Sequence, residues 1–305
     1  MEFPQVFFNN VLRNPVAIEI MSRVNADSLI RADAAKIDMN RPYSFGYALK
    51  VNLNLENSGT WETLETGDKI WRLKIYSEDA YSINLIFDEF WLPEGAQFFV
   101  YNEREEDRRM ILGAFTARTS NNERNLFATD LVQGNTIVLE YYEPAYTSDG
   151  LISIDKVIHA YKDMFRSNGL GNSGSCNKDV NCSEGADWCV EKRAVAMLLV
   201  DDNTAFCTGC LINNVRGDFK PYLLTAHHCY FRANGTLKRD PATSIFRFHY
   251  WRPTCNGGNP NPYYSIIGAT MRASYSDTDF ALLELSSKPI FTPVAYAGWD
   301  RSSNK

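Results

Sequence analysis

No cysteine occurs in the first 175 of the 305 residues, so any disulfide or thiol chemistry belongs to the second half of the chain. No apolar run approaches the ~18 residues of a membrane span, and residues 10–20 are too polar and interrupted for the hydrophobic core of a signal peptide. No membrane anchor is expected, and the signal peptide of an exported protein is expected upstream of Met1 or already removed. Positive charge is short as well. The 31 Lys and Arg stand against 37 Asp and Glu, a net charge of -6 at pH 7, whereas a nucleic-acid-binding face needs a basic excess. No nucleic-acid partner is expected, and no metal or other cofactor.

With 45% hydrophobic residues, the chain can bury one or two cores, and at ~150 residues per domain its length points to two. Residues 1–44 carry little pattern. From 45 to 160 the sequence alternates with period two over 49–55, 70–76 and 81–87, and further strands are expected at 97–101, 111–115 and 136–142. Turn signals separate them at Asn57-Ser58-Gly59, Thr66-Gly67-Asp68, Pro93-Glu94-Gly95 and Gln133-Gly134-Asn135. Many short strands so punctuated predict an all-β, sandwich-like or jelly-roll-like domain. The charged stretch 103–109 reads as a solvated hairpin tip, and Trp61, Trp71 and Trp91 as packing residues. A Gly/Asn/Ser-rich run at 167–175 marks 161–175 as a linker, after which 176–305 forms the second domain.

All seven cysteines fall between Cys176 and Cys255, which suits disulfides in an oxidising compartment better than cytosolic thiols. The number is odd, so at least one has no internal partner. The run Leu223-Leu224-Thr225-Ala226-His227-His228-Cys229 ends an apolar strand in histidine beside cysteine, and Cys207-Thr208-Gly209-Cys210 upstream offers Cys229 a partner. Later, Asp279 heads the alternating stretch Phe280-Ala281-Leu282-Leu283-Glu284-Leu285, where partial desolvation is expected. An imidazole and an orienting carboxylate are what a serine hydroxyl needs to become a nucleophile at neutral pH. The chain order His then Asp agrees with templates in which the serine comes last.

These segments, with Gly171-Asn172-Ser173-Gly174-Ser175-Cys176-Asn177, Lys192-Arg193-Ala194-Val195, Thr278-Asp279-Phe280 and Ala297-Gly298-Trp299-Asp300-Arg301, resemble the bacterial lysyl endopeptidase family of trypsin-like serine peptidases over residues 171–305. The resemblance implies an incomplete chymotrypsin-like double β-barrel, the first barrel and the start of the second, with His228 as base and Asp279 as its orienting acid. His227 is then structural, since adjacent residues cannot both face one nucleophile, and His159 and His249 read as core or sheet residues. The resemblance also implies disulfides Cys207 with Cys229 and Cys182 with Cys255. Cys176 would pair with a cysteine beyond residue 305. The same assignment joins Cys189 to Cys210, although the family usually has a small hydroxyl residue at the latter position. Region 45–160 resembles the family's propeptide, expected to act on its own catalytic domain and to be cut near 161–175, at Lys162 or Arg166 if maturation is autocatalytic at basic residues, or just before Gly171 at the family's mature terminus. The implied protein is a secreted, monomeric serine endopeptidase precursor acting on protein or peptide substrates. None of Ser286, Ser287, Ser302 or Ser303 has a Gly-Asp-Ser-Gly setting. The nucleophile is therefore expected beyond residue 305, and the 305 residues alone are expected to be inactive.

Three other readings compete. Ser173 in Gly-Asn-Ser-Gly-Ser imitates a nucleophile motif, but the order would be Ser, His, Asp, and no strongly apolar strand leads into it. Cys207, Cys210, His227, His228 and Cys229 have ligand types suited to zinc, against which stand their β-strand setting and the oxidising context. A non-catalytic secreted binding module with a peptidase-like barrel would use the same fold without the chemistry.

Overall fold

The computed structural model describes residue 4 and residues 14–35, 42–102, 111–165, 176–200, 202–238, 240–255, 257–258, 264–289 and 293–300. Ser173, Arg166, Ser302, Ser303 and the charged stretch 103–109 lie outside the described residues. The protein is all-β with few helical turns. In chain order the first half contains β1 (Ala17–Ile20), α1 (Ala26–Ala35), β2 (Tyr43–Ser44), β3 (Gly46–Asn54), β4 (Thr60–Thr63), β5 (Lys69–Tyr76), β6 (Ser82–Trp91), β7 (Gln97–Asn102), β8 (Ile111–Phe115), α2 (Ala117–Ser120), β9 (Phe127–Ala128), β10 (Val132–Gln133), β11 (Thr136–Glu143) and β12 (Leu151–Ala160). The second half contains β13 (Val195–Val200), β14 (Ala205–Ile212), β15 (Tyr222–Thr225), β16 (Ile245–Phe248), β17 (Tyr264–Ile267), β18 (Ala269–Tyr275) and β19 (Phe280–Leu285). By compactness it divides into one unit of residues 1–31 and 46–161 and another of residues 32–45 and 162–305.

The first unit is a two-sheet sandwich. One sheet runs β1-β5-β11-β7-β8 with β4 beside β5, the other β10-β6-β12-β3 with β9 beside β6. Its interior is aromatic because inward positions of both sheets carry phenylalanine: Phe87 and Phe90 from β6 meet Phe98 from β7 edge-on at 5.7 and 5.4 Å. All six strands expected from the sequence are present. The turn glycines Gly59, Gly67, Gly95 and Gly134 all have positive φ, a region open to glycine at little cost. At Gly59 a second constraint operates, since a Cβ there would lie 2.3 Å from Trp71 Nε1, whose N–H donates to Ser58 O. Trp71 is fully buried in this sheet, which is its packing role. His159 is also a core residue, with Nδ1 2.8 Å from Ser77 Oγ, and burial pushes its pKa down.

The second unit is one curled antiparallel sheet in the order β17-β16-β13-β14-β15-β19-β18. Its two ends, β17 and β18, are one bent strand interrupted at Gly268. There the Gly268 N–H donates to Ser244 O and its carbonyl accepts from Ser286 N–H, so the ladder continues on both sides and the sheet closes into a barrel. Gly268 has φ +85°, and a Cβ would lie 2.8 Å from Ala242 O, so the corner requires glycine. Leu198, Leu211, Leu223, Phe246 and Leu283 fill the interior from alternating positions. Among the described residues after β19 no strand of a second barrel occurs. That tail runs beside β14, with Ala297 N–H bonded to Leu211 O at 2.8 Å. His249 is not a sheet residue: it follows β16 at φ +62°, half-buried and stacked on Trp251, because the ladder ends at Phe248.

Candidate active site

The barrel ladder brings the histidine and the acid together. β15 and β19 pair with Thr225 opposite Ala281, so residues just past β15 lie beside residues just before β19. At the end of β15 the chain turns through a single 3-10 turn, His227–Cys229, and Cys229 is drawn inward by its bond to Cys207 on β14. Thr225, buried, supports this corner by donating its hydroxyl to Thr208 O at 2.8 Å. Nothing in the sequence motif singled out Thr225 beyond its place in the run before the histidines.

On the other side Ser276 to Asp279 forms a tight turn, with Asp279 N–H donating to Ser276 O at 3.1 Å and Asp279 at φ +51°. Three hydrogen bonds join the two corners. His227 N–H donates to Asp279 O at 3.1 Å, His228 N–H to Asp279 Oδ1 at 2.9 Å, and His228 Nδ1 lies 2.7 Å from Asp279 Oδ2. The pairing leaves Nε2 as the ring nitrogen directed elsewhere, in the tautomer that can accept a proton. Burial pushes the Asp279 carboxyl up, but the two hydrogen bonds from His228 and the charges of His228 and His227 outweigh it and hold its pKa below the ordinary value. Its side chain is nonetheless 50% exposed, more than the partial desolvation expected for an acid heading an apolar strand, because it sits on the turn ahead of the ladder.

His227 turns away from Nε2 of its neighbour and stacks on Phe231 at 4.2 Å with the rings nearly parallel. Lys238 Nζ donates to His228 O at 2.9 Å, fixing the turn from outside. Among the described residues no serine hydroxyl is bonded to His228. Ser286 lies past β19, with its N–H held by Gly268 O.

Two disulfides are present, Cys207–Cys229 and Cys182–Cys255. The expected Cys189–Cys210 bond is absent. Cys189 is an exposed thiol at the end of a 3-10 turn, while Cys210 is half-buried on the outward positions of β14, its thiol pKa raised by burial. Cys176 is likewise an exposed thiol. Sulfur and nitrogen atoms of Cys207, His228 and Cys229 cluster within 4.8 Å. The two sulfurs are bonded to each other, however, and a disulfide sulfur lacks the thiolate charge that zinc requires. The wider ligand set read from the sequence is not assembled, since His227 is stacked away and Cys210 does not join the group.

A closed antiparallel barrel carrying a histidine–carboxylate pair on the corners after its third and before its last strand defines the chymotrypsin-like class. Residues 170–305 match the family described as lysyl endopeptidase, C-terminal domain. A lysyl endopeptidase of Pseudomonas aeruginosa is 25% identical over 188 residues, covering 55% of this chain and 39% of that protein, so the chain spans well under half the length of that relative.

Proposed function

We propose that the chain is part of a secreted serine endopeptidase precursor, in which His228 is the general base and Asp279 its orienting acid. The observation that carries this reading is the double contact of one carboxylate with one residue, Oδ1 on the His228 backbone and Oδ2 on its ring. In this reading Asp279 keeps the Nδ1 proton in place and stabilises the imidazolium. His228 Nε2 takes the proton of a serine hydroxyl as that oxygen attacks the peptide carbonyl, then gives it to the departing amine, and water reverses the sequence to release the acyl group. The serine and the amides that hold the oxyanion come from outside the described residues. The disulfides support an oxidising, extracellular setting. In the same reading, residues 45–160 form the precursor's pro-region.

The test uses the natural full-length gene product with a serine-reactive fluorophosphonate and a panel of peptides, beginning with lysine at the cleaved bond as the relative's name suggests. Labelling and cleavage are expected, and His228→Ala should lower kcat on the order of 10^6-fold. Cleavage by the His228→Ala variant at the unsubstituted rate would remove His228 from the mechanism. Absence of both labelling and cleavage would leave a barrel without this chemistry.

A further inference from the structure

One stretch of the barrel ladder is completed from far away in the sequence. β14 pairs with β13 from Ala205 through Cys210 on one side, but with β15 only from Cys210 to Ile212 on the other. The remaining edge of Ala205 and Phe206 is taken by β2, with Ser44 opposite Ala205 and Tyr43 opposite Phe206. Phe45 N–H continues the pairing to Thr204 O at 2.8 Å, and the Tyr43 ring lies 5.0 Å from that of Phe206. Phe45 itself is fully buried.

Lys162 fastens this strand. Its N–H donates to Phe45 O, and its ammonium reaches Ser44 O at 2.8 Å and Asp33 Oδ2 at 2.6 Å while lying 4.3 Å over the Tyr43 ring. The Lys162 side chain is 16% exposed and that of Asp33 26%, so the charges are largely withdrawn from water, where such contacts strengthen. Two residues further, Met164 is buried and its carbonyl accepts the Tyr250 hydroxyl at 2.6 Å.

We propose that residues 33–35, 42–45 and 162–165 are together a strand-forming ligand of the barrel, which keeps the upstream half of the chain bound after a cut between Phe165 and Cys176. Main-chain pairing at a sheet edge supplies affinity, the Tyr43–Phe206 contact and the Lys162 lock supply selectivity, and an edge otherwise open to foreign strands is covered. The inference does not rest on the peptidase reading, because a barrel without catalytic power would bind the same segment. It also takes Lys162 out of the accessible basic sites at which the precursor could be cut.

The full chain carrying His228→Ala, with the recognition sequence of a site-specific protease at 169–174, is cut and run under native conditions. The two fragments should co-elute. After dilution, Tyr43→Ala and Lys162→Met should each speed their separation at least tenfold, and Asp33→Asn should speed it less. Fragments that part on cutting, or that hold equally long in all variants, overturn the proposal. Should the variants fail to fold, hydrogen exchange of the Phe45 amide in the cut, otherwise unsubstituted protein decides. Protection is expected, and exchange at the unfolded rate overturns the docking.

Discussion

Asp279 works from a backbone position that few residues tolerate, and aspartate and asparagine are among them. Asp279→Asn therefore keeps the turn while removing the charge, which makes it the cleaner substitution than Asp279→Ala. Because the folded carboxyl has a lowered pKa, its stabilising contribution is complete above the ordinary value of 3.8 and is lost as pH falls through the folded value. The melting temperatures of the parent and Asp279→Asn proteins should thus differ at neutral pH and converge as the pH falls through the folded carboxyl's lowered value, and curves that stay parallel would dissociate the shift from folding. Gly59 is a second single-residue constraint. Gly59→Ala forces a side chain into Trp71 at positive φ and should cost about 3 kcal/mol in urea unfolding. The histidine and the acid were readable as residue types, because a histidine beside cysteine and an acid at a strand start are sequence-local signals. The half-exposure of Asp279 was not, since it depends on what covers a turn rather than on the strand that follows.

At the scale of elements, period-two alternation located β3, β5 and β6, and the strand segments read between turn signals located β7, β8 and β11. Short strands such as β9 and β10, two residues each, are made by their neighbours rather than by their own pattern, so no window of sequence contains them. The supports of the His227–Cys229 turn include the Thr225–Ala281 register, the bond to Cys207, the Thr225 hydroxyl, and the bonds from Lys238 and to Asp279. Cys207→Ser with Cys229→Ser removes one of them. A bridge spanning 22 residues contributes about 3 kcal/mol, and its loss should appear as that drop in unfolding free energy. The His228 ring signal in NMR should broaden as well. Unchanged stability would mean that the ladder and the hydrogen bonds hold the corner without the disulfide.

For the molecule as a whole, both disulfides lie within the unit that contains the barrel. Which thiols remain is a property of the fold: alternation along β14 points Cys207 inward to Cys229 and Cys210 outward. Alkylation under denaturing conditions should count three thiols, Cys176, Cys189 and Cys210. In the native protein Cys210 should react last, and a count of one would restore the Cys189–Cys210 bond. The contribution of residues 32–45 to the barrel unit had no local signal either, since the partner of Tyr43 and Ser44 is Phe206 and Ala205. That separation has a consequence for biosynthesis. At ribosomal rates of about 5–20 residues per second, Tyr43 and Ser44 emerge on the order of ten seconds before Ala205 and Phe206, so a nascent chain carries its docking strand without its barrel partner for that interval.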